Sequence, residues 1–600
     1  MTELQTSAHP DALFGPISRL GDDALLPDYL AYWARTEGDR VAMRFTDFST
    51  QRDGVEHLVT FAELERWARA IAVRIGELTA PGDRAAILTP AGPGYMAAFA
   101  GALSSAAVGV PLFEPEHLGQ GDRLRGVLAD CRPTVVLTTD AHVAAVEALV
   151  ADLPGLDPAV IAVDALRDDV RADTYERPST LRRDALAYLQ YTSGSTRTPA
   201  GVELTHHNLV VNARQLMQAF DVDPCDHNAA ISWLPLFHDM GLLLGIVLPI
   251  VTAATSGIFD ALAFIQRPVR WMREIARQPH TYTAAPNFAY GYAAKRVKAS
   301  DREALDLSGV KAMLNGAEPV HPRTVRQFIE TFAPQGLRAE AVRPSYGLAE
   351  ATVFVSTTPS GRPARITEVD AAALQAHRAI PPSGPDARTT ELVSCGIAFG
   401  QEVALVDPAT AELLPDGTVG EVWVYGENVG AGYWGDARES ASTFDGRLAD
   451  PVGLPPSGWL RTGDLGVRID GELYITGRLK DTIIIDGRNI YPNDVEASVE
   501  EAHDAIAAHR LAAFAVETGD TEGLVVVAEQ HRDAADAAAS LAEIAAAAKQ
   551  AVSLQQAVSL HDFVLVEPHT VPRTSSGKIA RQATRAQYLE GALRPVGGRS

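Results

Sequence analysis

Cysteine is scarce in this chain of 600 residues, which has only Cys131, Cys225 and Cys395. They stand far apart and form no CxxC pair, so the sequence supports neither a disulfide framework nor a cysteine-ligated zinc site. A cationic surplus is also missing, since 52 Lys and Arg face 76 Asp and Glu for a formal net charge of −24. A field of that sign repels nucleic acid and anionic lipid, so binding to either would need a local basic patch.

Long apolar runs are missing as well. The longest, residues 95–113, is rich in Ala, Gly and Ser and contains Pro111, whereas a bilayer span needs about twenty strongly apolar residues. We interpret it as a buried helix. The first ten residues, MTELQTSAHP, have neither the cationic nor the apolar stretch of a secretory leader. Together with the cysteine count, this predicts a cytoplasmic protein with no nucleic-acid partner and no stable membrane insertion.

The order of the predicted elements indicates an α/β protein. From about residue 26 to residue 192, and again after residue 205, apolar runs alternate with stretches of helical period, which predicts parallel sheets covered by helices. Residues 355–394 are rich in Thr, Ser, Pro and Gly, and their length predicts a functional insertion or a linker, since connections usually take about five residues. Short alternating strands over 395–477 predict a β-rich subdomain. We expect a large domain over 1–477, a hinge at 478–481 and a small mobile α+β domain over 482–600.

A loop rich in Ser, Thr and Gly follows one predicted strand. Residues 191–202 read YTSGSTRTPAGV, and their backbone N–H groups and hydroxyls are suited to phosphate oxygens. The GxxxxGK[ST] pattern of a Walker A loop is absent. Such a loop in isolation is most often a solvated turn, so its meaning depends on the motifs that accompany it.

Six further motifs follow this loop in order, and together the set resembles the adenylate-forming superfamily of acyl-CoA ligases, luciferases and peptide-synthetase adenylation domains. They are WLPLFHDMGL (233–242), NGAEP (315–319), SYGLAEAT (345–352), RTGDLG (461–466), ITGRLKDTIIIDGRNIYP (475–492) and PRTSSGKI (572–579). The wording of WLPLFHDMGL and SYGLAEAT, the loop ending TRTPAG and the long insertion after Glu350 are similar to fatty acyl-AMP ligases. Residues 44–55 (RFTDFSTQRDGV) resemble the actinobacterial members that serve mycolate and complex-lipid synthesis.

The resemblance implies a role for each candidate residue. Lys578 stabilises charge on the α-phosphate, Glu350 holds Mg²⁺ with Thr196 as a second contact, and His238 positions the substrate. Lys480 is the implied hinge, and Trp233, Phe237, Met240 and Phe288 are the implied acyl pocket. The implied ATP site comprises Thr192, Ser193, Gly194, Ser195, Thr196, Arg197, Asn315, Gly316, Ala317, Glu318, Ser345, Tyr346, Gly347, Ala349, Asp464, Arg478 and Lys578.

Some of these residues can also be interpreted without a nucleotide. Glu350 could be an acid at a helix N-terminus, Asp464 an Asx turn, and Arg478 a surface ion pair of little energetic value. His238 in its apolar loop could be a hydrogen-bonded core residue. The loop also departs from many acyl-CoA ligases, since Arg197 and Ala200 stand where those enzymes carry Gly and Lys.

The resemblance implies two half-reactions. A fatty acid reacts with ATP to give acyl-AMP and pyrophosphate, and the phosphopantetheine thiol of an acyl carrier protein, from a polyketide or nonribosomal peptide synthase, then takes the acyl group. The insertion favours a carrier protein over free CoA. An acyl-CoA ligase and a non-catalytic module that binds acyl-adenylate remain as alternatives. An acidic carrier would need a basic face, for which the candidates are Arg267, Arg270, Arg273 and Arg277, or Arg581 and Arg585.

Overall fold

The computed structural model describes residues 20–115, 121–192, 200–224, 226–485, 488–518, 521–531, 540–574 and 578–596. The strands are β1 Val41–Asp47, β2 Val55–Thr60, β3 Arg84–Ile87, β4 Val108–Pro111, β5 Val135–Thr138, β6 Ala159–Ala162, β7 Leu186–Tyr191, β8 Gly201–Thr205, β9 Asn228–Ser232, β10 Thr255–Ile258, β11 His280–Pro286, β12 Val310–Gly316, β13 Val342–Gly347, β14 Phe354–Thr357, β15 Ile366–Asp370, β16 Thr389–Val393, β17 Ile397–Ala398, β18 Glu402–Val406, β19 Gly420–Tyr425, β20 Gly432–Tyr433, β21 Leu460–Ile469, β22 Glu472–Arg478, β23 Ile483–Ile485, β24 Arg488–Ile490, β25 Ile506–Thr518, β26 Thr521–Gln530 and β27 Leu560–Val566.

Helices occupy most of the connections. The α-helices are Leu26–Thr36, Phe61–Gly76, Pro93–Ser104, Gly121–Cys131, Val143–Ala151, His206–Phe220, Asp239–Leu242, Leu248–Thr252, Ala261–Gln266, Val269–Ala276, Asn287–Arg296, Ala299–Arg302, Pro322–Phe332, Ala371–Gln375, Ala437–Phe444, Pro492–Glu500, Leu541–Gln556 and Arg581–Leu589. A π-helical turn, Leu243–Val247, joins two of them. Single 3₁₀ turns include Ala349–Ala351 and Leu479–Asp481. In the described part of the chain, no helix is both long and apolar enough to cross a bilayer.

Two large sheets form the body of the molecule. One has seven strands in the order β20-β8-β7-β4-β3-β5-β6, with β7 to β6 parallel and β8 and β20 antiparallel at one edge. The other has nine strands in the order β17-β14-β13-β12-β11-β9-β10-β1-β2, parallel from β13 to β1. Because the carboxyl ends of parallel strands share one edge, the loops that follow them are brought together there.

The stretch 95–113 corrects one prediction from the sequence. It is buried as expected, but the helix Pro93–Ser104 ends at Ser104 and strand β4 follows, so it is not a single helix. Close packing explains the small residues in this helix, because a Cβ at Gly101 would lie 2.6 Å from the Ile71 side chain. Ala and Gly therefore let this helix approach its neighbour closely, and the sequence showed burial without showing the break.

The later part of the chain folds as smaller units. Strands β18, β19, β21 and β22 form an antiparallel sheet, and β25, β26 and β27 form a three-stranded sheet packed on the helices Pro492–Glu500 and Leu541–Gln556. With the two large sheets, these units confirm the predicted fold class. The segment 355–394 contains its own hairpin, β15 with β16, and the short helix Ala371–Gln375 between them.

That hairpin lies between the sheets and the C-terminal unit. Val369 and Leu374 share an apolar cluster with Tyr491. The Gln375 side-chain amide donates to the Gln556 carbonyl at 3.2 Å, and the Gln375 carbonyl accepts from Asn489 Nδ2 at 3.1 Å. The segment therefore contacts both the β-rich sheet and the C-terminal unit.

The predicted basic docking faces are not free. Arg270 is buried with its guanidinium 4.3 Å from the centroid of the Phe48 ring, and Arg273 pairs with Asp301 at 2.8 Å. On the C-terminal helix Arg581 pairs with Glu496 at 2.6 Å, and Arg585 donates to the Ala515 carbonyl. These four arginines therefore have contacts within the fold, and either docking face stays a prediction.

Candidate active site

A cavity of about 820 Å³ lies where the strand ends of both large sheets meet the C-terminal unit. Its lining comes from the loops after β7, β12 and β13, the turn at β21 and β22, and residues 573, 574 and 578–582 of the C-terminal unit. All seven motifs named from the sequence contribute to this lining, and three of them, NGAEP, SYGLAEAT and PRTSSGKI, have most of their described residues in it. The carboxyl-edge geometry of parallel strands accounts for that convergence.

The loop after β12 and the end of β13 form one wall. Gly316, Ala317 and Glu318 line the cavity opposite Ser345 and Gly347. A Cβ at Gly347 would lie 1.8 Å from the Val353 carbonyl oxygen, so only glycine allows this close approach. Buried behind the wall, Asn315 donates to Asn287 Oδ1 at 3.3 Å. Asn315 therefore supports the wall from outside the cavity lining.

Asp464 holds two partners, one on each carboxylate oxygen. The Tyr346 hydroxyl donates to Oδ2 at 2.7 Å and Arg478 Nε donates to Oδ1 at 2.9 Å. Strands β21 and β22 place Asp464 directly opposite Arg478. The Asp464 carboxylate raises the pKa of Arg478, and burial raises the pKa of Tyr346 well above its ordinary value. The Asp464 carboxylate at the cavity wall thus has a hydrogen-bond partner on each oxygen.

Glu350 lies in the 3₁₀ turn Ala349–Ala351 between β13 and β14, and both Ala349 and Glu350 line the cavity. The Tyr433 hydroxyl donates to Glu350 Oε1 at 2.8 Å. Burial raises the pKa of the Glu350 carboxyl. A nearby cation would favour the ionised form of such a group.

Lys578 reaches the cavity from the C-terminal unit. A pair of hydrogen bonds fixes its turn: Thr574 N donates to the Lys578 carbonyl at 2.8 Å, and Lys578 N donates to Thr574 Oγ1 at 3.1 Å. Burial lowers the pKa of the Lys578 ammonium, while the carboxylates of Asp239 and Glu318 act in the opposite direction. The lysine therefore faces acidic groups contributed by the large sheets.

His238 and Asp239 form a pair at the junction of polar and apolar lining. His238 Nδ1 lies 2.5 Å from Asp239 Oδ1, which also accepts from Met240 N at 2.7 Å. Burial works to raise the pKa of Asp239, but His238 and Lys578 hold it below its ordinary value. The sequence did not predict that the neighbouring Asp could orient the imidazole, because that contact depends on the turn at the start of the helix Asp239–Leu242.

Three of the four predicted acyl-pocket residues line the cavity, namely Phe237, Met240 and Phe288. Within the described part of the chain, Trp233 does not: it stacks on Phe264 with ring centroids 4.0 Å apart and touches Phe288 edge-on. Trp233 thus packs behind the lining. Other apolar lining residues were not predicted, among them Leu216, Leu243, Leu244, Leu314, Val353 and Phe354.

Part of the phosphate loop lies outside the described residues, including Ser193, Gly194, Ser195, Thr196 and Arg197. Its two ends are described: Thr192 N donates to the Ala200 carbonyl at 3.2 Å, and Arg123 donates to the Thr192 carbonyl. Thr192 and Arg123 both line the cavity. Lys480 is exposed in the turn Leu479–Asp481 and does not belong to the described lining.

Tyr433 and Arg123 are functional candidates that the sequence did not reveal. Each lies far along the chain from the group it contacts, 83 residues in the case of Tyr433 and Glu350. Neither stands in a motif that predicts a nucleotide contact, and only the pairing of β20 with β8 brings Tyr433 to the cavity edge.

Comparisons with known proteins agree with this geometry. Residues 30–434 match the AMP-binding enzyme family, and residues 480–596 match the family described as Disco-interacting protein 2-like, AMP domain. The long-chain-fatty-acid–AMP ligase FadD32 of Mycolicibacterium smegmatis is 42% identical over 96% of this chain and 95% of its own. FadD26 of Mycobacterium marinum, another such ligase, is 40% identical over 94% and 97%.

A solved structure shows the same arrangement of elements. The fatty acyl-adenylate ligase of L. pneumophila, in complex with acyl adenylate and pyrophosphate, superposes with a TM-score of 0.72 at 32% identity. The alignment covers 94% of this chain and 96% of that one. The family matches, the relatives and the shared architecture together show that this chain belongs to the AMP-binding enzyme family and, within it, to the long-chain-fatty-acid–AMP ligases.

Proposed function

We propose that this protein joins a fatty acid to AMP, using ATP and releasing pyrophosphate, and passes the acyl group to a carrier protein. The acceptor is the phosphopantetheine thiol of an acyl carrier protein of a polyketide or nonribosomal peptide synthase. The proposal rests on one observation: a single cavity joins an apolar lining to a charged one. Phe288 and Leu244 lie in the first, and Asp464, Glu350 and Lys578 lie in the second.

The charged lining supplies what the first half-reaction needs. A carboxylate oxygen of the fatty acid attacks the α-phosphorus of ATP, the bond from that phosphorus to the bridging oxygen breaks, and pyrophosphate leaves. Negative charge builds on the α-phosphate oxygens, and a positioned cation in a cavity of low dielectric stabilises it. We assign that role to Lys578, because its ammonium enters the cavity from the C-terminal unit.

The other polar groups bind and orient the substrates. We assign the ribose hydroxyls to Asp464, whose two oxygens are held by Tyr346 and Arg478. The wall formed by Gly316, Ala317, Glu318, Ser345 and Gly347 receives the adenine. His238, oriented by Asp239, positions the carboxylate at the point where the apolar lining begins.

The residues around Glu350 fit Mg²⁺. The Tyr433 hydroxyl donates to Oε1 of this carboxylate. No three His, Cys, Asp or Glu side chains in the described ranges converge on one point, so a cation here would share its coordination with substrate phosphates and water, as Mg²⁺ commonly does. Bound there, Mg²⁺ would neutralise charge on the phosphates. Thr196, our other proposed contact, lies outside the described residues.

For the second half-reaction we propose that residues 482–600 turn about Lys480 as a separate domain. The thiol sulfur then attacks the acyl carbonyl, a thioester forms, and AMP leaves. The contacts of Gln375 with Gln556 and Asn489 support a role for the segment 355–394 in limiting that movement. Such a limit favours a carrier protein, which brings its own docking energy, over free CoA.

The test is to incubate the protein with ATP, Mg²⁺ and fatty acids of graded length, with and without CoA, and to separate the products by mass. We expect acyl-AMP that accumulates and that free CoA does not consume. Efficient acyl-CoA formation would contradict the carrier-protein acceptor. The absence of any adenylate, with every acid tried, would contradict the first half-reaction.

A further inference from the structure

Among the described residues, Tyr433 provides the side-chain hydrogen bond to the Glu350 carboxylate. It lies on the two-residue strand β20, which pairs antiparallel with β8 and places Tyr433 opposite Val202. Strand β8 begins at Gly201, directly after the phosphate loop. The side chain that holds Glu350 therefore lies on a strand that pairs with β8, the strand that follows that loop in the sequence.

The backbone around Glu350 is fixed by the same segment. Gly430 N donates to the Glu350 carbonyl at 2.9 Å, Asn428 Nδ2 donates to the Ala351 carbonyl at 3.0 Å, and Thr352 Oγ1 donates to the Asn428 carbonyl at 2.7 Å. Thr352 is held at φ 66° and ψ −63°, a conformation that persists only where neighbours enforce it. Three hydrogen bonds thus tie this turn to residues 428–430 before Tyr433 is reached.

Tyr433 itself has little freedom. Its backbone N–H donates to Ser440 Oγ at 2.8 Å, and its ring packs edge-on against Phe444 with centroids 5.2 Å apart. On either side of it, Ala431 N and Trp434 N donate to the carbonyls of Glu203 and Gly201. A tyrosine side chain has only two χ angles. Because the backbone and the ring of Tyr433 are both held here, the position of its hydroxyl is fixed.

We infer that Tyr433 is a positioning residue for the metal-binding carboxylate: its hydroxyl occupies Glu350 Oε1 and turns Oε2 toward the cation that accompanies the ATP phosphates. A hydrogen bond of this kind orients a ligand and keeps it from rotating between coordinating and non-coordinating positions. Because β20 and β8 are paired, the same tyrosine also fixes the carboxylate relative to strand β8. This inference rests on the proposed function, since it assumes a divalent cation at Glu350.

The test compares Tyr433→Phe with Tyr588→Phe. Both remove a phenol that donates to a carboxylate, but Tyr588 bonds Asp562 at 2.9 Å and is not part of the described cavity lining. ATP affinity is measured by calorimetry without fatty acid, once in excess Mg²⁺ and once in EDTA. Loss of such a supporting group typically costs about 10- to 100-fold in metal affinity. We therefore expect the Mg²⁺-dependent gain in ATP affinity to be about tenfold smaller in Tyr433→Phe than in the wild type. The ATP affinity measured in EDTA should be the same in both proteins.

A second measurement separates positioning from damage to the fold. The Mg²⁺ concentration for half-maximal acyl-AMP formation should rise in Tyr433→Phe, with the KM for fatty acid unchanged and melting temperatures matching the Tyr588→Phe control. In a Glu350→Gln background, Tyr433→Phe should have no additional effect on the metal-dependent gain.

Several outcomes would overturn the inference. One is the same Mg²⁺-dependent gain in ATP affinity in wild type and in Tyr433→Phe. Another is a loss of ATP affinity in Tyr433→Phe that is as large in EDTA as in Mg²⁺. A third is a wild type that binds ATP no better with Mg²⁺ than without. Failure of the proposed function is distinguishable from these. A wild type that forms no acyl-AMP, yet binds ATP more tightly with Mg²⁺ and loses that gain in Tyr433→Phe, would reject the function and support the positioning role.

Discussion

The cavity has two sides that are built differently. On the sheet side, Asp464, Tyr346 and Arg478 are joined by hydrogen bonds of 2.7 and 2.9 Å and stand on β21, β13 and β22, which belong to the four-stranded and the nine-stranded sheet. On the other side, Lys578 belongs to the C-terminal unit, where two hydrogen bonds with Thr574 hold its backbone. The sheet side is built from paired strands, whereas the other side depends on how the C-terminal unit packs.

Several of the contacts between the two sides are polar or partly exposed. They include the bonds of Gln375, an ion pair of Arg323 with Glu501 at 2.9 Å, and the rings of His321 and His509 with centroids 6.3 Å apart. Polar contacts of this kind break and re-form at lower cost than a packed apolar core. The difference indicates that binding of nucleotide and placement of the reactive lysine are separable functions, and four predictions test that separation.

The largest effect is expected for Lys578→Ala. Removing the cation that we place at the α-phosphate should lower the rate of acyl-AMP formation by about 10²-fold or more, while ATP affinity falls only a few-fold because the sheet side is intact. Pyrophosphate exchange dependent on fatty acid gives the rate, and calorimetry gives the affinity. Lys549→Ala, on the exposed face of the helix Leu541–Gln556, is the matched control. A loss of ATP affinity as large as the loss of rate would mean that the two sides are not separable.

The next effect belongs to the sheet side. Asp464→Asn keeps the shape of the side chain but leaves one acceptor oxygen where Tyr346 and Arg478 now use two, so the KM for ATP should rise about tenfold or more. The rate at saturating ATP should change less. Asp470→Asn is the control, because Asp470 lies on the same β-hairpin and pairs with Arg365 at the surface. An Asp464→Asn enzyme with a normal KM for ATP would contradict the ribose assignment.

The sequence predicted the sheet side better than the other. RTGDLG and SYGLAEAT are continuous motifs, and Asp464 and Tyr346 within them are bonded to each other in the structure. Parallel strands with connecting helices could also be predicted, because the spacing of apolar residues along the sequence shows which faces of an element are buried. Tyr346 stands near the end of β13, and Asp464 lies within β21 opposite Arg478 at the end of β22.

What the sequence did not show depends on contacts between distant segments. Tyr433 reaches Glu350 only through the pairing of β20 with β8. Trp233 was placed in the acyl pocket because it is aromatic and lies near His238, but stacking on Phe264 turns it behind the lining. The arginines at 270 and 273 suggested a docking face, and their burial or pairing could not be known from spacing alone. Side-chain partners across a fold are set by tertiary packing, which periodicity does not encode.

A smaller effect is expected from pH at the contact between the two sides. Burial, with the charges of Lys295, Arg573 and Arg510, lowers the pKa of His509 to about 4. Glu500 faces its Nδ1 at 3.5 Å. In an open arrangement the imidazole would titrate near its ordinary value of about 6.5. Between these values the open form binds more protons, so the closed arrangement should weaken as pH falls from about 6.5 toward 4.

The measurement is energy transfer between dyes on the large-sheet region and the C-terminal unit, from pH 7.5 to pH 5. We expect His509 to contribute a shift of up to about tenfold toward the open form, read as the difference between the profiles of the wild type and of His509→Asn. His509→Asn removes the titrating group, and asparagine tolerates the positive φ of 56° at this position. It should flatten the part of the profile that His509 causes and leave the opposite contribution of Asp494, whose pKa burial raises to about 7. Identical profiles for the two proteins would exclude His509.

The smallest effect is expected for the ion pair of Arg323 and Glu501, although it bridges the two sides directly. Both side chains are largely exposed, at 71% and 50%, and exposed pairs contribute about 0.2–1 kcal/mol because water screens them. Arg323→Glu or Glu501→Arg should change acyl-AMP formation by no more than about threefold, and the double exchange should restore it. A loss above about tenfold, rescued by the exchange, would show that this surface pair controls closure. A small effect would instead leave closure to the buried contacts around Gln375, and placement of Lys578 would then depend on packing between the insertion and the C-terminal unit.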